Sequence, residues 1–116
     1  PVYSFPRPVQ RPHPPIYLGG HAKNVFKRVV TWGDAWMPNR ITPEDIESGK
    51  NELKRLCEES GRDFSTIGIT VYGATPDPSI VDELFSAGAE RIVLSIDSIP
   101  EKEALQQLEG FATDFL

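Results

Sequence analysis

The sequence predicts an α/β fold of four βα units with parallel strands, and three observations carry that expectation. After a proline-rich opening, a short apolar run, a turn and an amphipathic helical stretch recur four times. Strands alternating with helices at this spacing imply parallel pairing through right-handed crossovers. The fourth run, Ile92-Val93-Leu94, carries large apolar groups at successive positions and therefore on both faces. Burial on both faces is the mark of a parallel sheet.

Residues 1–15 hold six prolines, Pro1, Pro6, Pro8, Pro12, Pro14 and Pro15. Proline removes donors and blocks helix, so this stretch reads as an extended arm with polyproline character, separate from a domain over 16–116. Its apolar residues Val2, Tyr3, Phe5 and Val9 suit a surface groove. The first run is Ile16-Tyr17-Leu18, closed by Gly19-Gly20. A helix follows with Ala22, Val25, Phe26, Val29 and Val30 on its buried face, and Gly33 ends it as a C-terminal cap. The second run is Ala35-Trp36-Met37, stopped by Pro38. Thr42, Pro43 and Asp45 then form a capping box with proline at the first helical position. Ile46, Leu53, Leu56 and Cys57 give that helix its buried face, and Gly61 ends it. The third run covers residues 67–72 and is rich in β-branched residues. Asp77 caps the next helix, with Pro78 first and Ile80, Val81, Leu84 and Phe85 as its apolar stripe. The fourth run covers residues 91–96. The last helix starts near Pro100, with Ala104, Leu105, Leu108, Phe111, Ala112 and Phe115 facing inward.

The chain has 116 residues, a formal net charge of -5, 39% hydrophobic and 25% charged residues. This suits one domain with a modest core. An acidic balance without basic runs argues against non-specific binding to nucleic acid or anionic membrane. No apolar stretch is long enough to span a bilayer. Pro1 rather than methionine opens the chain, as in a processed or trimmed polypeptide. Cys57 is the one cysteine, so no internal disulfide forms, which is compatible with a reducing cytoplasm. Its helical neighbours Leu53 and Leu56 make it a buried structural thiol.

Periodicity leaves two architectures open: a small open sheet with helices on both sides, or half of an eight-stranded barrel with all helices outside. A resemblance chooses. Gln10-Arg11-Pro12-His13-Pro14-Pro15-Ile16 leads into a strand ending in paired glycines. Gly33-Asp34-Ala35-Trp36 follows the next helix, with Ala35 where glycine is common. Gly61-Arg62-Asp63 closes the second helix, and Ala87-Gly88-Ala89-Glu90-Arg91-Ile92 passes from helix to strand. In this order the four segments resemble the luciferase-like monooxygenase and F420-dependent oxidoreductase family. The resemblance implies the C-terminal half of a (β/α)8 barrel, strands five to eight, and FMN or F420 as cofactor. Strands one to four of such a barrel have no counterpart here.

The candidate site residues are Gly19, Gly20, His21, Ala22 and Lys23, where a strand becomes a helix. In an α/β fold that is the ligand face. Glycines let backbone amides approach an anion, the helix N-terminus adds partial positive charge, and Lys23 adds a full one. The resemblance implies that this turn holds the cofactor phosphate; a plain tight turn is the alternative. His21 is either a phosphate donor or an exposed histidine without a role. His13 is structural or exposed. Trp36, Met37 and Asn39 end the second strand and are candidates for the barrel mouth, with Trp36 read either beside a ring system or as a core aromatic. Asp97 and Ser98 read as a helix cap. Neither histidine has a second ligand at a metal spacing, so no metal is expected. No catalytic constellation is present, which fits a family whose chemistry belongs to its cofactor.

Three functions follow. The first is the C-terminal portion of a flavin or F420-dependent oxidoreductase, incompetent alone and completed by the missing half or by a second copy as a homodimer. The second is a non-enzymatic binding or assembly module of the same half-barrel fold. The third is a free-standing doubly wound domain, which requires helices on both faces of the sheet. A cytoplasmic location is expected.

Overall fold

The computed structural model describes residues 5–116; Val2 and Tyr3 of the arm lie outside them. Its elements run β1 (Tyr17–Leu18), α1 (Lys23–Trp32), β2 (Ala35–Trp36), α2 (Pro43–Ser60), a 3-10 turn (Phe64–Thr66), β3 (Gly68–Ala74), α3 (Pro78–Ala87), β4 (Arg91–Leu94) and α4 (Glu101–Phe115). Residues 5–15 carry no helix or strand and are exposed. All strand pairs are parallel, in the order β1-β2-β3-β4. That consecutive order matters. Right-handed crossovers that always advance in one direction put every helix on one side of the sheet, whereas a doubly wound sheet reverses direction. The fold is therefore α/β of the barrel type, and the doubly wound alternative falls.

The register shows which side is which. Leu18, Trp36 and Ile69 are aligned across the first three strands, and Val71 with Ile92 across the last two. All five belong to, or pack against, one apolar core with Val25, Phe26 and Val29 of α1, Ile46 and Leu53 of α2, and Leu84 of α3. The alternate set, Tyr17, Ala35, Thr70, Tyr72, Arg91 and Val93, faces the other way. On β4 it is thus Val93, not Ile92 and Leu94, that points to the barrel interior. This inner face is mixed rather than apolar. Tyr17 is 37% and Tyr72 46% exposed, and Arg91 reaches across it to donate to the Tyr17 hydroxyl at 3.2 Å.

The helix starts follow the sequence. Thr42 and Asp45 exchange capping-box hydrogen bonds at 3.3 and 3.2 Å. Asp77 accepts from the Ser79 and Ile80 amides, with Pro78 at the first helical position. The Ser79 hydrogen bonds hold the Asp77 carboxyl below the usual range. Cys57 is buried, and burial pushes its thiol up. Helices α1 to α3 are also tied by cations at their ends. Arg62 donates to the carbonyls of Val29 and Val30 at 2.9 and 3.0 Å, and Lys50 to that of Ala87 at 2.7 Å. The Val30 and Ala87 carbonyls are among those a helix end leaves without partners, while the Val29 carbonyl also accepts from the Gly33 N–H at 3.0 Å.

Gly33 is the C-cap of α1, as its place in the sequence predicts, with extended backbone at φ -88°. Three expectations are corrected. Strands β1, β2 and β4 are shorter than their apolar runs, without Ile16, Met37 and residues 95–96, while β3 extends to Ala74. Asp97 and Ser98 do not cap α4: Pro100 is its N-cap, without a side-chain hydrogen bond, and Asp97 instead donates its N–H to Gln107. Finally, α4 buries no residue; Leu105 and Leu108 stay about half exposed, and so does Phe85 of α3 beside it. A crossover helix packs over the strand it leaves and the one it enters. No strand follows β4 in this sheet, so α4 has half a floor.

Gly49 sits inside α2, where a Cβ would overlap the indole ring of Trp36. Gly49→Ala is expected to destabilise by about 1–3 kcal/mol through overpacking, although alanine is the better helix former by about 1 kcal/mol. Gly110 in α4 faces open space, and Gly110→Ala is expected to stabilise. Urea unfolding of both variants checks the opposite signs.

Candidate functional site

The strand-to-helix turn after β1 lies at the C-terminal edge of the sheet. Gly19, Gly20, His21, Ala22 and Lys23 are all exposed there. Gly20 has φ +119°, a conformation that side chains strongly disfavour, and a Cβ built on it meets no atom within 4 Å. The glycine is thus demanded by the backbone, and the space beside it is open. Ala22 is the N-cap of α1, with no side-chain hydrogen bond and no acidic residue in the first turn. The Val25 amide bonds the Ala22 carbonyl at 2.8 Å, which leaves the amides of Lys23 and Asn24 as helix-end donors. By contrast, α2 and α3 fill their N-terminal donors with Thr42 and Asp77.

Trp36 holds this turn from beneath. It is 2% exposed, and its indole N–H donates to the Gly20 carbonyl at 2.9 Å. Its ring meets Phe26 edge to face at 5.0 Å. Trp36 is therefore a core aromatic on the helix side, and it does not face the mouth. Met37, half-buried, donates its N–H to the Leu18 carbonyl at 2.9 Å and by alternation points with Ala35 to the inner side. Asn39 is exposed at the rim and bridges Tyr72 in parallel fashion.

His21 and Lys23 line a cleft of about 880 Å³ between α1 and α2, together with Lys27, Asp45, Glu52 and Arg55. The other candidate residues of the turn do not reach it. Its charges are mixed. Arg55 holds the Glu52 carboxyl below the usual range, first by a hydrogen bond at 2.7 Å and then by charge, with Lys23 and Lys27 adding to it. His13 lies in the arm, with Nδ1 2.9 Å from the Pro14 carbonyl oxygen. Among the described residues no three His, Cys, Asp or Glu side chains gather as metal ligands would. No described helix is long and apolar enough to cross a membrane.

The motifs that carry the family resemblance also have local structural duties. Asp34 accepts from the Ile16 amide at 2.7 Å and fixes the start of β1. Arg62 closes α1, and Asp63 caps the 3-10 turn by accepting from the Ser65 amide. Sequence reasoning missed the Trp36–Gly20 bond, because nothing in the chain order pairs a strand aromatic with a glycine sixteen residues earlier.

Fold and turn define an α/β protein of the barrel type with an exposed glycine turn at the C-terminal end of its first strand. Comparisons place it further. No protein-family model matches the chain. Uncharacterised proteins of Mycobacterium bovis and of two Mycobacterium tuberculosis strains are 27% identical to it over 128 residues, 98% of this chain and 43% of theirs. Among solved structures, the coenzyme F420-dependent tetrahydromethanopterin reductase of Methanopyrus kandleri has the same fold over 81% of this chain and 48% of its own, with a TM-score of 0.58 and 12% identity. The chain thus spans less than half the length of the proteins it matches.

Trp36→Phe is expected to keep the ring packing but strip the Gly20 carbonyl of its donor, at a cost of about 1 kcal/mol. Amide hydrogen exchange should quicken at residues 19–24 more than elsewhere; uniform exchange across the chain would count against the anchoring role.

Proposed function

We propose that this chain is the C-terminal portion of a luciferase-like oxidoreductase that uses FMN or F420, and that it contributes the turn that receives the cofactor phosphate. The observation that carries this reading is the turn itself. Open space beside Gly20, the free amide donors of Lys23 and Asn24, and the absence of acid in the first turn of α1 suit a phosphate. The fold shared with a reductase named for coenzyme F420, and the sequence motifs, point to the same class. The bound flavin or deazaflavin would supply the redox chemistry. Gly19, Gly20 and the amides of residues 21–24 would hold its phosphate, His21 would donate to it, and Met37 and Asn39 would border the mouth.

Titration of FMN and of F420 against the chain, followed by cofactor fluorescence, tests this. Saturable binding of one of them is expected, and Gly20→Val should weaken it by about tenfold or more, through both backbone strain and occlusion. Binding of neither, or binding unchanged in the variant, would overturn the reading and favour the non-enzymatic module. Turnover by the 116-residue chain alone is expected to be negligible, because half the loops of a complete barrel mouth are absent from it.

The same reading calls for a second half-barrel. The outer edges of β1 and β4 pair with nothing among the described residues, and such edges template further strands. A two-fold pair of chains would set β4 of each beside β1 of the other and give α4 its missing floor; the N-terminal half of a longer relative would do the same. Light scattering is expected to give a mass above the monomer for the chain alone. A well-folded monomer that binds no hydrophobic dye would exclude the homodimer.

A further inference from the structure

The rim between β2 and β3 carries a residue that the cofactor reading does not use. Arg40 is the one non-glycine among the described residues with positive φ, +49°. Side chains avoid this left-handed backbone, which persists only where surrounding contacts over-determine it. Here the Arg40 amide donates to the Tyr72 carbonyl at 2.9 Å, and Asn39 bridges Tyr72. The opposing residue is Gly73, itself left-handed at φ +67°, where the pairing of β3 with β4 slips register. A Cβ on Gly73 would lie 3.0 Å from Asn39 Oδ1, and 3.6 and 3.7 Å from Cγ and Nε of Arg40. The arginine side chain therefore lies across the bare face of that glycine. Bulges of this kind re-aim a side chain at a sheet rim.

The side chain is aimed at a cavity of about 390 Å³ at the C-terminal ends of β3 and β4, lined by Arg40, Thr42, Thr75, Ser95, Asp97 and Gln107. This is the size of a small-molecule site, and it lies on the ligand face of the sheet. The Arg40 guanidinium makes no hydrogen bond or ion pair among the described residues. We propose that Arg40 binds the carboxylate or phosphate of a small hydroxylated ligand in this cavity. The guanidinium presents a planar fork that matches either oxyanion in bidentate fashion. Thr75 and Ser95 add hydroxyl donors, and the Asp97 carboxylate accepts from a hydroxyl on the ligand, which a bare anion does not offer. The site is separate from the Gly19-Gly20 turn, which belongs to β1, so each can fail without the other.

The test follows the Arg40 Nε–H resonance of the 116-residue chain during titration with L-malate and with glycerol 3-phosphate, at constant ionic strength. A saturable shift with either probe is expected, and the probe that gives it identifies the oxyanion as carboxylate or phosphate. Binding measured by calorimetry should weaken at least about tenfold in Arg40→Gln. Arg40→Gly, which takes positive φ freely, should lose binding while its Tm holds or rises. Gly20→Val should bind the probe as the wild type does. The proposal is overturned if neither probe saturates, if Arg40→Gln or Arg40→Gly binds like the wild type, or if Gly20→Val abolishes probe binding.

Discussion

Burial of the Trp36 indole is the constraint on which the rest of this structure leans. Its ring fills the space between α1 and α2, against Phe26 on one side and the bare backbone of Gly49 on the other. A buried indole N–H must find an acceptor, since leaving it unpaired costs about 1–3 kcal/mol. The acceptor here is the Gly20 carbonyl, in the turn that the sheet presents at its C-terminal edge. Core packing and the candidate cofactor turn are thus one arrangement. The helix pair cannot shift without moving the turn.

The other interlocks are electrostatic and lie at helix ends. Arg62 and Lys50 reach from the α2 region to the terminal carbonyls of α1 and α3. Each places positive charge at the negative end of a helix dipole while filling lone pairs that would otherwise face the core boundary. Surface pairs such as Arg55 with Glu52 are exposed and contribute little by comparison. The first three βα units are consequently interlocked, with α2 and the turn after it tied to the C-terminal ends of α1 and α3.

The fourth unit is different. β4 is well paired to β3, and Ile92 and Leu94 pack against the core, but α4 buries nothing. A helix that closes a barrel rests on two strands, and only one is present. The inner face is equally unfinished, with Tyr17 and Arg91 touching across a surface that complete barrels fill in layers. Both features are what half of a larger closed sheet should show.

Much of this was readable in the chain order, because the signals involved are local. The Thr42 box, the Asp77 cap and Pro78, and the apolar spacing of Val25, Phe26, Val29 and Val30 act within one or two helical turns. The Gly-Gly turn is likewise written in two adjacent residues, and so was the prospect of an anion site. What spacing left open, parity and distance closed. Whether Ile92 or Val93 faces the helices depends on register against β3, which no single strand encodes. Trp36 could serve mouth or core until Gly49, thirteen positions later, supplied the gap for its ring. Arg40 gave no signal at all, since its left-handed backbone comes from a bulge at Gly73 on the neighbouring strand. Local chemistry sets elements and caps; the aim of a side chain is set by contacts between segments far apart in the chain.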